Sequence, residues 1–284
     1  MTTLELDGAT HWYDDRGEGP PIVFVHGGWS NGDAWTEQVE HFADDHRVIR
    51  YDVRGHGRTG GSEQSPYSIE LFTDDLERLL DELDVNQPFL CGISLGSMVV
   101  QEFLDRYPDR AAGAILAGPV RSMPPADLPG WMKPQVPTLF SLDVSLATMG
   151  PRSTFVTFLN GIQATTGERW LSVDPSIRRS MIDSAARVPP REFRKIFMAL
   201  YDYEPPELSH VSTPVRIIYG EKEAEPVKRQ AQDIVEMVDD VEQTEIEGAA
   251  HLVNQDAPES FNVVAGNFIR GFSKEWAAAV AGNQ

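Results

Sequence analysis

The sequence predicts an α/β fold, a mostly parallel eight-stranded sheet flanked by helices on both faces, with a helical cap inserted late in the chain. Three observations carry that expectation. Short apolar, β-rich runs alternate with amphipathic stretches along most of the 284 residues, the pattern of successive βαβ units. Runs such as Ile22-Val23-Phe24-Val25 and Arg216-Ile217-Ile218-Tyr219 end in glycine turns, at Gly27 and Gly220. The alternation stops between Gly118 and Thr213, where several prolines and scattered Met, Trp, Phe and Tyr at helical spacing take over.

In chain order, strands are expected near Thr3 to Asp7 and His11 to Asp15, then at the apolar run Ile22 to His26. A helix over Trp35 to Phe42 leads to a strand at Arg47 to Asp52, and a helix over Ile69 to Leu83 leads to Phe89 to Ile93. The helix Leu95 to Tyr107 follows that strand directly, and Gly113 to Ala117 is the sixth strand. After the insertion come a strand at Val215 to Tyr219, a helix over Lys228 to Val238, a strand at Val241 to Ile246 and a helix over Pro258 to Ile269. The expected division is a core of residues 1–118 and 213–284 with a helical cap of residues 119–212. A chain of this length buries one sizeable core, and no stretch reads as a linker, a repeat or a low-complexity tract.

The bulk numbers exclude several classes of partner. Asp and Glu number 44 against 24 Lys and Arg, a formal charge of −20, which repels nucleic-acid backbones and anionic membrane surfaces. Only five of the cations are lysine, and the acids spread over nearly every expected helix. That is the surface of a protein adapted to high salt, because self-repulsion is screened once the Debye length falls to about 3 Å near molar salt; a halophilic source is the expectation. The apolar runs are too short for a bilayer span. The start Met1-Thr2-Thr3-Leu4-Glu5-Leu6-Asp7 lacks a basic and then apolar leader, so a cytoplasmic location is expected. Cys91 is the single cysteine and reads as a small buried strand residue. No His, Cys or carboxylate cluster has metal-ligand spacing, and neither a metal nor a cofactor is expected.

The chemistry centres on Gly92-Ile93-Ser94-Leu95-Gly96. The apolar run before it and the helix after it make the pentapeptide a strand-to-helix turn around one serine, with glycines where a Cβ would clash. A serine hydroxyl is a poor nucleophile and needs an adjacent base. Imidazole, with an ordinary pKa near 6.5, accepts and returns a proton near neutral pH. His251, in Gly248-Ala249-Ala250-His251 after the eighth strand, is the candidate. The chain order is then serine, acid, histidine.

Four motifs in sequence order, His26-Gly27-Gly28, Asp52-Val53-Arg54-Gly55-His56-Gly57-Arg58-Thr59, the turn at Ser94, and Gly248 to His251, make the chain resemble the α/β-hydrolase superfamily from about residue 3 to 272. Tyr51 to Gly118 is most similar to small microbial esterases and enol-lactonases. The resemblance implies a serine hydrolase cleaving carboxylic esters or lactones of small, mostly apolar substrates through an acyl-enzyme. It implies backbone donors for the developing oxyanion at Leu95 and Gly28, and loop-bracing roles for His26, Asp52, Arg54 and His56. Relatives carry an aspartate three residues after the glycine that ends the seventh strand. Counting from Gly220 lands on Glu223 instead, with Glu225 as its rival. Trp29, Arg121, Trp131, Phe140 and Phe158 are candidates for the substrate pocket, Arg121 for a substrate carboxylate. C–C bond hydrolysis or perhydrolysis on the same three groups, and a ligand sensor built on the scaffold, are the other readings left open.

Overall fold

The computed structural model describes residues 2–123, 139–166 and 170–282, except for the side chains of 139–140, 165–166 and 273–282. Eight strands form one sheet: β1 (Thr2–Leu6), β2 (Ala9–Arg16), β3 (Pro21–Val25), β4 (Arg47–Tyr51), β5 (Phe89–Ile93), β6 (Gly113–Ala117), β7 (Val215–Gly220) and β8 (Val241–Ile246). Their spatial order is β1-β2-β4-β3-β5-β6-β7-β8. β2 pairs antiparallel with both β1 and β4, and every pairing from β4 through β8 is parallel. β3, β5 and β6 are buried at every position, as expected of central parallel strands covered on both faces. The edge strands β1 and β8 are largely exposed.

Helices α1 (Thr36–Phe42), α2 (Ile69–Glu82), α3 (Leu95–Arg106), α7 (Glu225–Met237), the short α8 (Val253–Asp256) and α9 (Pro258–Gly282) accompany the sheet. α2 shows why the covering layer forms. Ser68 caps it through a hydrogen bond from the Leu71 N–H at 3.2 Å, and Ile69, Phe72, Leu76, Leu79 and Leu80 form its buried stripe. α3 is buried over its first ten residues, because it crosses the middle of the sheet. α7 starts at Glu225 rather than Lys228, with Pro226 in its first turn, where a missing N–H costs nothing.

Between β6 and β7 lie α4 (Leu139–Thr166), α5 (Pro175–Arg187) and α6 (Pro190–Tyr201). α4 is two helices joined at a kink where Gly150 has φ 74° and Pro151 follows. α6 is fastened to the loop before α2: the Tyr67 hydroxyl donates to Glu192 Oε2 at 2.5 Å, and Lys195 Nζ donates to the Ser62 carbonyl at 2.7 Å. Among the described residues no helix is long and apolar enough to cross a membrane.

Candidate active site

Ser94 is the single residue between β5 and α3, at φ 55° and ψ −117°, a strained conformation for a side-chain-bearing residue. The flanking glycines are forced by close backbone approach. A Cβ on Gly92 would strike the Gly96 carbonyl, and one on Gly96 would strike the Val25 carbonyl at the end of β3. The Ser94 N–H donates to the Ala117 carbonyl of β6 at 3.1 Å, while the Ser97 N–H returns to the Ser94 carbonyl at 2.9 Å. The sheet therefore fixes one side of the turn and the helix the other.

The loop after β3 lies beside this turn. A Cβ on Gly27 would be 3.4 Å from Ser94 Cβ, and one on Gly28 would be 3.6 Å from Leu95 Cδ1. The Leu95 N–H is a first-turn amide that α3 itself cannot satisfy. His26 holds the loop: its Nδ1–H donates to the Gly27 carbonyl at 2.8 Å and its Nε2 accepts the Val53 N–H at 3.0 Å. That pattern requires a neutral ring, and burial lowers the His26 pKa accordingly. Asp52 gathers the neighbouring turn, accepting from the Gly32 N–H at 2.7 Å, the Arg58 N–H at 2.6 Å and Arg58 Nε at 2.8 Å. Burial alone would raise its pKa, but these bonds, that from the Arg58 side chain foremost, hold it below the ordinary carboxylate value.

On the far side of β6, Glu223 Oε2 accepts from His251 Nδ1 at 2.8 Å, and both side chains are almost fully buried. An ionised carboxylate at that nitrogen puts the imidazole proton on Nδ1 and leaves the Nε2 lone pair open. Nε2 is buried without a hydrogen-bond partner among the described residues. Gly118, one residue past the Ala117 carbonyl that holds Ser94, takes φ +45°; a Cβ there would be 3.0 Å from His251 Nδ1 and 3.1 Å from Glu223 Oε2. Serine turn, β6 end and acid–histidine pair are thus contiguous. Glu225 is exposed in the first turn of α7.

The remaining candidates divide. Trp29 is buried at φ 57°, with ring centroids 4.9 Å from Phe193, 5.6 Å from Phe155 and 5.9 Å from Phe158. Leu200 lies 3.5 Å from a Cβ placed on Gly28, so helices of the insertion bring an apolar wall to the loop beside the serine. Arg121 is buried, but its guanidinium reaches the Pro206 carbonyl at 2.8 Å and Gln101 Oε1 at 3.4 Å, joining the second turn of α3 to the segment after α6. Trp131 lies outside the described residues, and so does the Phe140 side chain. Among the described residues no group of three or more His, Cys, Asp and Glu is placed to hold a metal ion.

Two residues at the site take roles that the sequence does not mark: Trp170 reads there as one of many apolar residues of the insertion that could line a pocket, and Asp256 belongs to no motif. The Trp170 indole N–H donates to Glu223 Oε1 at 2.6 Å, and its ring centroid lies 4.1 Å from that of His251. Asp256 accepts from the Ala250 N–H at 2.9 Å and the Val173 N–H at 3.1 Å. No local signal could have found either residue, since the partners that give them their place are brought in by the fold.

A model of the alpha/beta hydrolase family matches residues 22–263. Along 267 residues, 91% of each protein, the chain is 27% identical to 3-oxoadipate enol-lactonase 2 of Acinetobacter baylyi. It is 39% identical to a putative non-heme chloroperoxidase of Synechocystis over 111 residues, which span 38% of this chain and 40% of that protein. A thermophilic esterase from Thermogutta terrifontis superposes with a TM-score of 0.80 at 20% identity, covering 96% of this chain and all of the esterase. The enol-lactonase of Burkholderia xenovorans LB400 superposes with a TM-score of 0.78 at 20% identity over 95% of this chain and all of its own. Those two likenesses establish the fold, which the sheet order and the serine turn bear out independently. With the family model matched over most of its length, the chain belongs to the alpha/beta hydrolase family.

Proposed function

We propose that the protein is a serine hydrolase that cleaves carboxylic esters or lactones of small, mostly apolar substrates, with Ser94 as nucleophile, His251 as general base and Glu223 as the acid that orients it. The observation that carries this reading is the buried 2.8 Å contact between Glu223 Oε2 and His251 Nδ1, with Nε2 left open, next to the strained serine turn. As Ser94 Oγ attacks the carbonyl carbon, its proton passes to His251 Nε2, and the imidazolium is balanced by the Glu223 carboxylate. The oxyanion accepts hydrogen bonds from the Leu95 and Gly28 N–H groups; losing one such donor costs roughly 3 to 4 kcal/mol. Collapse of the tetrahedral intermediate breaks the C–O bond, and His251 returns the proton to the leaving alcohol, which stays tethered when the substrate is a lactone. Water then attacks the acyl-Ser94 ester, giving its proton to His251, and as the acyl–Oγ bond breaks His251 passes that proton to Ser94 Oγ, releasing the acid and restoring the serine.

In this reading residues 119–212 form a cap over a core of 1–118 and 213–284. Trp29, Phe155, Phe158 and Phe193 form the apolar wall of the acyl pocket, the usual lining of a small-molecule site. Perhydrolysis, in which hydrogen peroxide replaces water at the acyl-enzyme, is the second reading, favoured by the haloperoxidase names among the relatives. The test is release of p-nitrophenol from acetyl to octanoyl esters, with and without hydrogen peroxide, in wild type and Ser94→Ala. Turnover by wild type alone supports the reading. Equal activity of the two removes Ser94 as nucleophile, and inactivity of folded wild type points to a ligand sensor or a C–C hydrolase.

A further inference from the structure

We infer that Trp170 is a positioning residue for the acid–histidine pair, holding the Glu223 carboxylate in the one rotation that serves His251; the inference rests on the hydrolase reading only for its kinetic arm. A carboxylate has two interchangeable oxygens, so an acid that must present one of them to an imidazole gains from having the other occupied. Glu223 Oε1 accepts two donors, the Trp170 indole N–H at 2.6 Å and the Ala224 N–H at 2.9 Å. Oε2 accepts one, His251 Nδ1 at 2.8 Å. Twisting the carboxylate out of its present plane would break all three bonds in a site where an unmade hydrogen bond to a charged group costs more than usual.

The indole also lies against the imidazole, with centroids 4.1 Å apart and planes 31° apart. A proton arriving at Nε2 therefore creates its cation against an aromatic face, a favourable contact. The backbone makes the placement rigid. The His251 N–H donates to the Trp170 carbonyl and the Leu252 N–H to the Leu171 carbonyl, each at 3.0 Å. Asp256 clamps the same two stretches of chain, binding the Val173 N–H, the Ala250 N–H and the Ser172 hydroxyl. Residues 170–173 belong to the insertion between β6 and β7, so the insertion supplies a group that completes the machinery of the core as well as covering it. The arrangement also gives a reason for glutamate here. An aspartate, one methylene shorter, would draw the carboxylate back from the indole and the imidazole together.

Packing alone would be served equally by phenylalanine, which cannot donate to Oε1. In Trp170→Phe, kcat for a p-nitrophenyl ester is expected to fall about tenfold or more, the worth of one hydrogen bond to a charged group, with KM within about twofold. Introduced into Glu223→Gln, the same change is expected to cost less than about twofold, since residues acting as a unit are not additive. An equal loss in both backgrounds, or no loss in the first, overturns the inference. The far-downfield proton resonance of His251 Nδ1–H gives an arm that needs no turnover: it should be present in wild type and Ser94→Ala and broadened away in Trp170→Phe. Its persistence in Trp170→Phe also overturns the inference. Should wild type and Ser94→Ala hydrolyse esters equally, the hydrolase reading fails and this resonance alone decides the role of Trp170. If Trp170→Phe does not fold, incorporation of the benzothiophene isostere of tryptophan at position 170 removes the N–H with almost no change of shape, and the same outcomes apply.

Discussion

Glu223 and His251 meet through Oε2 and Nδ1 at 2.8 Å, whereas Glu225, two residues on, is exposed to solvent at the start of α7. The two carboxylates therefore separate cleanly by mutation. Glu223→Gln should lower kcat by roughly 10³- to 10⁴-fold, the scale on which loss of an orienting carboxylate acts in serine hydrolases. Glu225→Gln should stay within about twofold, as surface substitutions generally do. Steady-state ester hydrolysis checks both, and the reverse ranking would move the acid to Glu225.

Gly118 tests how tightly the pair is held. Its φ of +45° strains any other residue, and its Cβ would meet both His251 and Glu223 at 3.0–3.1 Å. Gly60 has φ +65° with nothing within 4 Å of where a Cβ would sit, so it shares the backbone cost without the contact. Gly118→Ala and Gly60→Ala should each lose about 1 kcal/mol of stability or somewhat more. Gly118→Ala alone should lose activity, by roughly tenfold to a hundredfold for a displacement of well under 1 Å to 1 Å. Denaturant unfolding and ester hydrolysis run on both variants check this, and equal activity would mean that the pair relaxes around the methyl group.

Much of this architecture was legible because it is local. The apolar runs of β3, β5 and β6, the glycines around Ser94 and the order serine, acid, histidine are properties of short segments, and each expected strand and helix of the core begins close to its expected start, α7 shifting from Lys228 to Glu225. The C-terminal helix runs past the expected Ile269 to Gly282. The reach of side chains was not legible in the same way. Arg121 sits just past β6 where a substrate carboxylate was expected, yet its guanidinium spans to Gln101 and Pro206. Trp170 lies 53 residues from Glu223 in sequence, and only the folded insertion brings its N–H to the carboxylate. Periodicity and spacing report on the chain's own turn or strand and carry no information about such contacts.

The placement of Arg121 has a kinetic consequence. Burial lowers its pKa, and its donors serve a carbonyl and an amide rather than an open site, so it acts as a strut between α3 and the segment after α6. Arg121→Met should leave the ratio of kcat/KM for an acidic ester to that for a neutral ester of equal length within about twofold, below the roughly 1.5–3 kcal/mol that a lost hydrogen bond to a charged substrate group would cost. A selective loss on the acidic ester would restore Arg121 as a substrate-binding residue.

Salt should stabilise the protein. Exposed ion pairs such as Arg106–Asp74 and Arg110–Asp81 weaken as salt rises, but each is worth only about 0–1 kcal/mol. The repulsion of a net −20 charge is shared by the whole surface and is screened over the same range. The unfolding midpoint should rise from low to molar KCl. Equal stability in both would remove the expectation of a halophilic protein.

Stability should fall when the pH is lowered from 7 to 5, because burial lowers the pKa of four histidines in the folded state, His11, His26, His46 and His56. His56 is pushed down to about 3 by burial and then by its neighbour His26, and His11 to about 4 by burial and then by the Arg54 charge. In the unfolded chain both titrate near 6.5, so below that value the unfolded state binds more protons than the folded state, and the folding free energy shrinks as the pH drops. The loss continues toward the folded values of about 4 and 3. Between pH 7 and pH 5 His56 and His11 should each cost roughly 2 kcal/mol, about one and a half pH units below the unfolded value at about 1.4 kcal/mol each. Asp75, whose pKa burial raises despite its bond to Arg54, acts in the opposite sense, because it takes up a proton more readily in the folded state. Guanidinium unfolding at pH 7, 6 and 5 measures the slope, and His11→Gln should remove its own share, roughly 2 kcal/mol of the loss between pH 7 and pH 5; a flat profile in wild type would mean that these rings gain protons in the folded state as readily as in the open chain.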